Sequence, residues 1–232
     1  MSATIIMELI YTVLAGIAFV IGARMYLRKR KPLYAQMIVC MLGCRFLQGL
    51  LETLLVRSEM DLNIITLSGL GQLAQYLFLI CANYGAIDSL CDDGSRTYLK
   101  YRIIAGIIPL GVVATLFVTR REITDTPYEM GMTLAAIIIP LIAFYYHFKH
   151  LIIKDVEGGL IQKLRLYNLL GVLNCVAYFL EWFTSTGTAM WYIALILYDI
   201  VTVGILPALR YGLKIDRIQI SKKRKTDADR CE

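Results

Sequence analysis

Seven apolar runs follow one another along the chain, separated by short polar gaps rich in lysine and arginine. They cover residues 4–23, 33–56, 64–87, 103–118, 130–148, 166–183 and 189–209, and the fourth is the shortest. Each approaches the roughly 20 residues that a helix rising about 1.5 Å per residue needs to cross about 30 Å of hydrocarbon. The pattern predicts an all-α polytopic membrane protein, a seven-transmembrane-helix bundle over residues 1–212 with a short tail at 213–232.

The gaps also predict orientation, because lysine and arginine accumulate on the cytosolic side of short loops. Alternate gaps, counted with the tail, hold twenty basic residues on one side and three on the other. The remaining one, Arg45, lies inside the second run. This places the N-terminus outside and the C-terminus in the cytosol of a multi-pass protein of the cell membrane. The first run has no basic residue before it, contains Glu8, and is followed by Arg24, Arg28, Lys29, Arg30 and Lys31. A cleavable signal peptide has the reverse polarity, so the first run is expected to stay as a span.

Composition agrees. Of 232 residues, 58% are hydrophobic and 18% charged, against roughly 45–50% and about 25% in soluble domains. The net charge of +6 is concentrated in the gaps, which fits loops facing anionic lipid and does not call for nucleic acid. The tail carries Lys222, Lys223, Arg224 and Lys225, expected to rest on anionic headgroups, and is too short for a folded effector domain. Six cysteines, Cys40, Cys44, Cys81, Cys91, Cys175 and Cys231, lie outside the predicted external loops, so no structural disulfide is expected. Cys231 reads as an ordinary tail cysteine, with acylation as the alternative.

Charges within spans narrow the chemistry. Each costs roughly 2.5–3.5 kcal/mol at the bilayer centre on insertion scales, so such groups face the bundle interior and find partners. Arg45 and Glu52 fall on the second run, Glu181 on the sixth, Asp199 on the seventh, and Glu8 near the outer end of the first. Helical spacing puts Arg45, Gln48 and Glu52 on one face, and Gln72, Tyr76 and Asn83 on another with Gln75 beside it. Tyr167, Gly171, Asn174, Tyr178 and Glu181 form a polar and aromatic stripe along the sixth run, and Tyr192, Asp199 and Thr202 align on the seventh. Helix directions bring Arg45, Asn174, Gln75, Tyr76 and Asp199 near mid-membrane, with Arg45 and Asp199 as an ion pair. Glu52 and Glu181 lie in the outer third. One arginine cannot neutralise Glu52, Glu181 and Asp199 together, so the surplus must be protonated, hydrated or met by a bound cation. Glu52, Glu181, Arg45, Asp199, Gln72, Tyr76, Asn174 and Tyr178 are the expected ligand-binding residues. A pair that merely braces the bundle is the competing reading.

Other features read as structural. Pro140 and Pro207 predict kinks. His147 and His150 predict a pair at a helix C-terminus favoured by its dipole, with metal binding as the alternative. Asp88, Asp92 and Asp93, followed by Arg96, Lys100 and Arg102, predict a solvated cytosolic loop or a docking point for a cytosolic partner. The seventh run lacks the lysine of a retinal Schiff base. Leu50-Leu51-Glu52 and Phe179-Leu180-Glu181 occupy equivalent helices, each with a polar residue seven positions before the glutamate. In size, orientation and this echo the chain is similar to the SWEET and PQ-loop transporters, built from two parallel three-helix repeats around a linker helix. The Pro-Gln dipeptide of that group is missing here. The expected function is a sensor or receptor module that takes a small polar or cationic ligand from the outer face and signals through a separate partner. The alternative is a small-molecule or ion transporter with a SWEET-like 3+1+3 arrangement. No catalytic set, metal site or cofactor is expected.

Overall fold

A computed structural model describes residues 3–27, 31–58, 64–88, 94–119, 127–153 and 160–229. The described residues contain helices and turns and no strand. The long helices are α1 (Ala3–Tyr26), α2 (Leu33–Ser58), α3 (Ile64–Ala82), α4 (Leu99–Thr119), α5 (Pro127–Ile152), α6 (Arg165–Phe183) and α7 (Ala189–Asp229). α3 passes directly into a π-helical segment, Asn83–Asp88; a 3₁₀ turn, Arg96–Tyr98, leads into α4, and a single helical turn, Leu160–Lys163, precedes α6.

Six stretches are long and apolar enough to cross a membrane: Ile6–Tyr26, Leu33–Leu54, Arg96–Val118, Thr133–Ile152, Arg165–Phe183 and Ala189–Gly212. The apolar stretch of α3 among the described residues, Gly69–Ala82, is shorter. The chain is therefore an all-helical protein with the makings of a multi-pass membrane protein. The helices run past the predicted boundaries. α4 and α5 are each extended at both ends, and α7 continues well past the apolar run. Pro109, Pro140 and Pro207 all sit within continuous helices.

Packing closes six helices into a ring in the order α1, α2, α3, α5, α6, α7 and back to α1, while α4 lies outside it against α5 and α6. Leu47, Leu54, Ile107, Val118, Ile193 and Ile200 point outward and are exposed. Apolar residues facing out all round a bundle, with tyrosines, amides and charges facing in, are arranged for a hydrocarbon solvent. Close helix approach depends on glycine: a Cβ on Gly49 of α2 would run into Thr12 of α1, and one on Gly171 of α6 into the ring of His147 on α5. α6 and α7 join through a tight turn in which Gly187 takes φ +83°. There Thr188 Oγ1 accepts from the Trp191 amide at 3.2 Å and so caps α7.

Candidate functional site

The stripes read from the sequence meet inside the ring. Arg45 of α2 donates from Nη2 (2.8 Å) and Nε (3.3 Å) to Asp199 Oδ1 of α7, so the mid-bundle ion pair joins α2 to α7. Both residues are buried, and the guanidinium lies 6.0 Å from the centre of the Tyr198 ring. Because both donors converge on one oxygen, Asp199 Oδ2 is left buried with no hydrogen-bond partner.

An amide relay runs beside the pair. Gln75 of α3 donates to Gln48 Oε1 at 2.6 Å, Gln48 donates to Glu52 Oε1 at 3.1 Å, and the Tyr198 hydroxyl donates to Gln75 Oε1 at 3.2 Å. The same helices also reach α6: the Tyr76 hydroxyl donates to Asn174 Oδ1 at 3.0 Å, and Asn174 Nδ2 donates to Thr202 Oγ1 at 2.7 Å. Tyr178 donates to the Ala136 carbonyl at 3.0 Å, and its ring meets those of Tyr76, Tyr198 and Trp182. Arg45, Asp199, Tyr76, Asn174 and Tyr178 thus come together in one buried layer. Gln72 is half-buried and Gln75, its neighbour on the helix, holds the central position.

The carboxylates gather toward the α6–α7 end of the bundle. Glu181 lies within electrostatic reach of Asp199, Arg45, Glu52 and Glu8, so acids from α1, α2, α6 and α7 share this part of the bundle with one arginine. Glu181 Oε2 is buried and has no hydrogen-bond partner. Two buried carboxylate oxygens, on adjoining helices, are therefore acceptors for which the described residues supply no donor. Among the described residues no group of three or more histidines, cysteines, aspartates or glutamates is placed to hold a metal ion.

A second network lies at the opposite end, and the sequence did not announce it. His147 and His150 are fully buried, and so are Asn83, Tyr167 and Asn168. Asn83 Nδ2 reaches the Leu79 carbonyl (2.9 Å), Tyr167 Oη (3.1 Å) and His147 Nε2 (3.2 Å). His147 Nδ1 meets Asn168 Oδ1 at 3.2 Å. His150 meets Asn83 Oδ1 at 3.3 Å and Asp88 Oδ1 at 3.0 Å, and Lys149 pairs with the same aspartate. Asp88 is therefore folded back onto α5, whereas a solvated loop residue was expected; Asp92 and Asp93 lie outside the described residues. Burial pushes the Asp88 carboxyl up, but the hydrogen bonds and charges of His150 and Lys149 outweigh it and hold it below the ordinary carboxylate value. The histidines are bound into this network on both ring nitrogens and do more than complement a helix dipole. The available signal was that Asn83 ends one polar stripe and Tyr167 begins another.

No family model matches the chain, and no curated protein or solved structure is significantly similar to it.

Proposed function

We propose that the chain is a seven-span sensor module of the cell membrane, N-terminus outside and C-terminus in the cytosol, which binds a small polar or cationic ligand among Glu52, Glu181, Asp199 and Arg45. The observation that carries this reading is the acid surplus: four carboxylates lie within electrostatic reach of one another with one arginine among them, and two of their buried oxygens lack a donor. Gln72, Tyr76, Asn174 and Tyr178 form the floor of the proposed site. In this reading α3 with its π-helical end is the seventh span. Signalling is assigned to α7, because the helix that holds Asp199 runs unbroken to Asp229. A ligand that draws Asp199 away from Arg45 thereby acts on a rod that reaches a cytosolic partner. The reading gives the chain no catalytic role.

Orientation is tested with reporters. A fusion after Glu232 is expected to be active only as a cytosolic reporter, and an insertion at 184–188 only as an external one. Activity of both on one side would remove the seven-span topology. Ligand binding is tested on purified protein in nanodiscs by quenching of Trp182, next to Glu181, with tetramethylammonium, agmatine and putrescine as probes. At least one is expected to bind about tenfold more weakly to the Glu52→Gln, Glu181→Gln double variant, which keeps size and hydrogen bonding while removing charge. Equal behaviour of parent and variant toward all three would end the ligand reading.

The transporter reading is supported by a separate observation. Exchanging α1–α3 with α5–α7 leaves the ring order unchanged and leaves α4 outside. The exchange relates Arg45–Asp199, joining α2 to α7, to Asn174–Tyr76, joining α6 to α3; Arg45 and Asn174 each lie seven residues before a glutamate. It also relates Gln75 to Tyr198, which bond to each other. Uptake of labelled probe into proteoliposomes separates the readings: a sensor binds without net flux, whereas a repeat-built carrier moves its ligand.

A further inference from the structure

The contacts of the inner network constrain where its protons can sit. Asn83 Nδ2 is fixed as the donor by its bond to the Leu79 carbonyl, which can only accept. Asn83 Oδ1 is therefore an acceptor, and it faces His150 Nδ1 at 3.3 Å, while His150 Nε2 faces the Asp88 carboxylate at 3.0 Å. Both ring nitrogens of His150 meet acceptors, so only the doubly protonated imidazolium satisfies both contacts. His147 has the opposite assignment. Its Nε2 faces the Asn83 amide hydrogens and must accept, so its single proton sits on Nδ1 and points to Asn168 Oδ1. The contacts of two histidines three residues apart thus favour different charges, set by one asparagine. The titratable groups that face this centre among the described residues are Asp88 at the end of the π-helical segment, His147, Lys149 and Tyr146 on α5, and Tyr167 on α6.

The backbone changes where this asparagine sits. Asn83 is the first residue of the π-helical segment, and its side chain donates to the Leu79 carbonyl, the acceptor that a regular helix offers to the backbone amide of residue 83. Side-chain competition of this kind loosens a helix, and π-segments recur at functional sites. The segment is fastened to α5 at two points, Asn83 and Asp88, and His150 touches both.

We propose that this end of the bundle carries a proton-binding site, His150, which ties both Asn83 and Asp88 of the π-helical segment to α5 while protonated and loosens the Asn83 end when the proton leaves. A neutral imidazole has one N–H and cannot serve Asn83 and Asp88 at once. The Asp88 carboxylate is a charged acceptor and keeps the remaining N–H, so the bond to the neutral Asn83 amide is the one given up. Losing that bond loosens the Asn83 end, which keeps its contacts to His147 and Tyr167, while Asp88 stays on Lys149. The clamp also has an acid limit: Asp88, held below the ordinary carboxylate value, contributes fully above about pH 4 and is lost as pH falls through that lowered value.

The chain has two histidines, so ¹⁵N-histidine NMR of the full chain in nanodiscs reads both rings directly. At pH 6 one ring is expected to be doubly protonated and the other neutral with hydrogen on Nδ1. The charged ring's signals should vanish in His150→Gln and persist in His147→Gln. Raising the pH to 8 should remove that proton, and hydrogen exchange of amides 83–88, corrected for intrinsic rate, should speed up about tenfold, the scale of one buried hydrogen bond. Asp88→Asn, which keeps size and polarity, should shift the proton loss to lower pH. Two neutral rings at pH 6, a charge on His147, or exchange at 83–88 that ignores the proton would each overturn the proposal.

Discussion

Arg45→Ala is expected to lose most of the folded protein, and Arg45→Ala combined with Asp199→Ala to recover a substantial part of it. The guanidinium donates twice to Asp199 Oδ1 and is buried with it. Removing the cation leaves Asp199 as an uncompensated charge beside Glu181 and Glu52, a defect of roughly 3–5 kcal/mol by soluble-protein precedent. Removing both partners takes away attraction and desolvation together, so the double variant should unfold at a higher temperature than Arg45→Ala alone. Arg45→Lys should fall between parent and Arg45→Ala, because an ammonium keeps the charge but cannot place two donors on one oxygen from the same position. Thermal unfolding of the parent, Arg45→Ala, Asp199→Ala and the double variant in one detergent checks the cycle, with Arg45→Lys measured beside them. A double variant no better than the worse single would show that the two residues are not coupled.

Gly171→Ala is expected to be nearly as damaging, although alanine is the better helix former. The added methyl would strike the ring of His147, meeting Nδ1, Cε1 and Cγ together. That ring is fully buried and bonded through both nitrogens, so it cannot turn aside without losing Asn83 or Asn168. Overpacking costs about 1–3 kcal/mol, and each buried polar group left unpaired adds about 1–3 kcal/mol. In a His147→Ala background the same substitution should cost far less, since the obstructing ring is gone. Unfolding temperatures of parent, both single variants and the double variant decide it. Equal cost in both backgrounds would mean that α6 does not lie against His147. Gly171 was visible as a member of the polar stripe on α6, but its missing side chain matters only because another helix fills the space.

Local pattern determined a good deal about this protein. The apolar runs sit inside the helices, because a stretch facing hydrocarbon must bond its own backbone groups and helix is the form that does so within one segment. Helical period alone placed Arg45, Gln48 and Glu52 on one face, and Tyr167, Gly171, Asn174, Tyr178 and Glu181 on another. Depth and the cost of an isolated charge matched Arg45 with Asp199 without any coordinates. Tertiary structure decided what period cannot express, namely which helices are neighbours. The ring order that leaves α4 outside, the choice of Gln75 over Gln72 for the central relay, and the convergence of four carboxylates from four helices all depend on it. So does the inner network. His147, His150, Asn83, Asp88 and Lys149 look like residues of a helix end and a loop when read along the chain. They become one buried cluster only when α3, α5 and α6 close on each other, because a hydrogen bond between residues more than sixty positions apart has no signature in either local sequence.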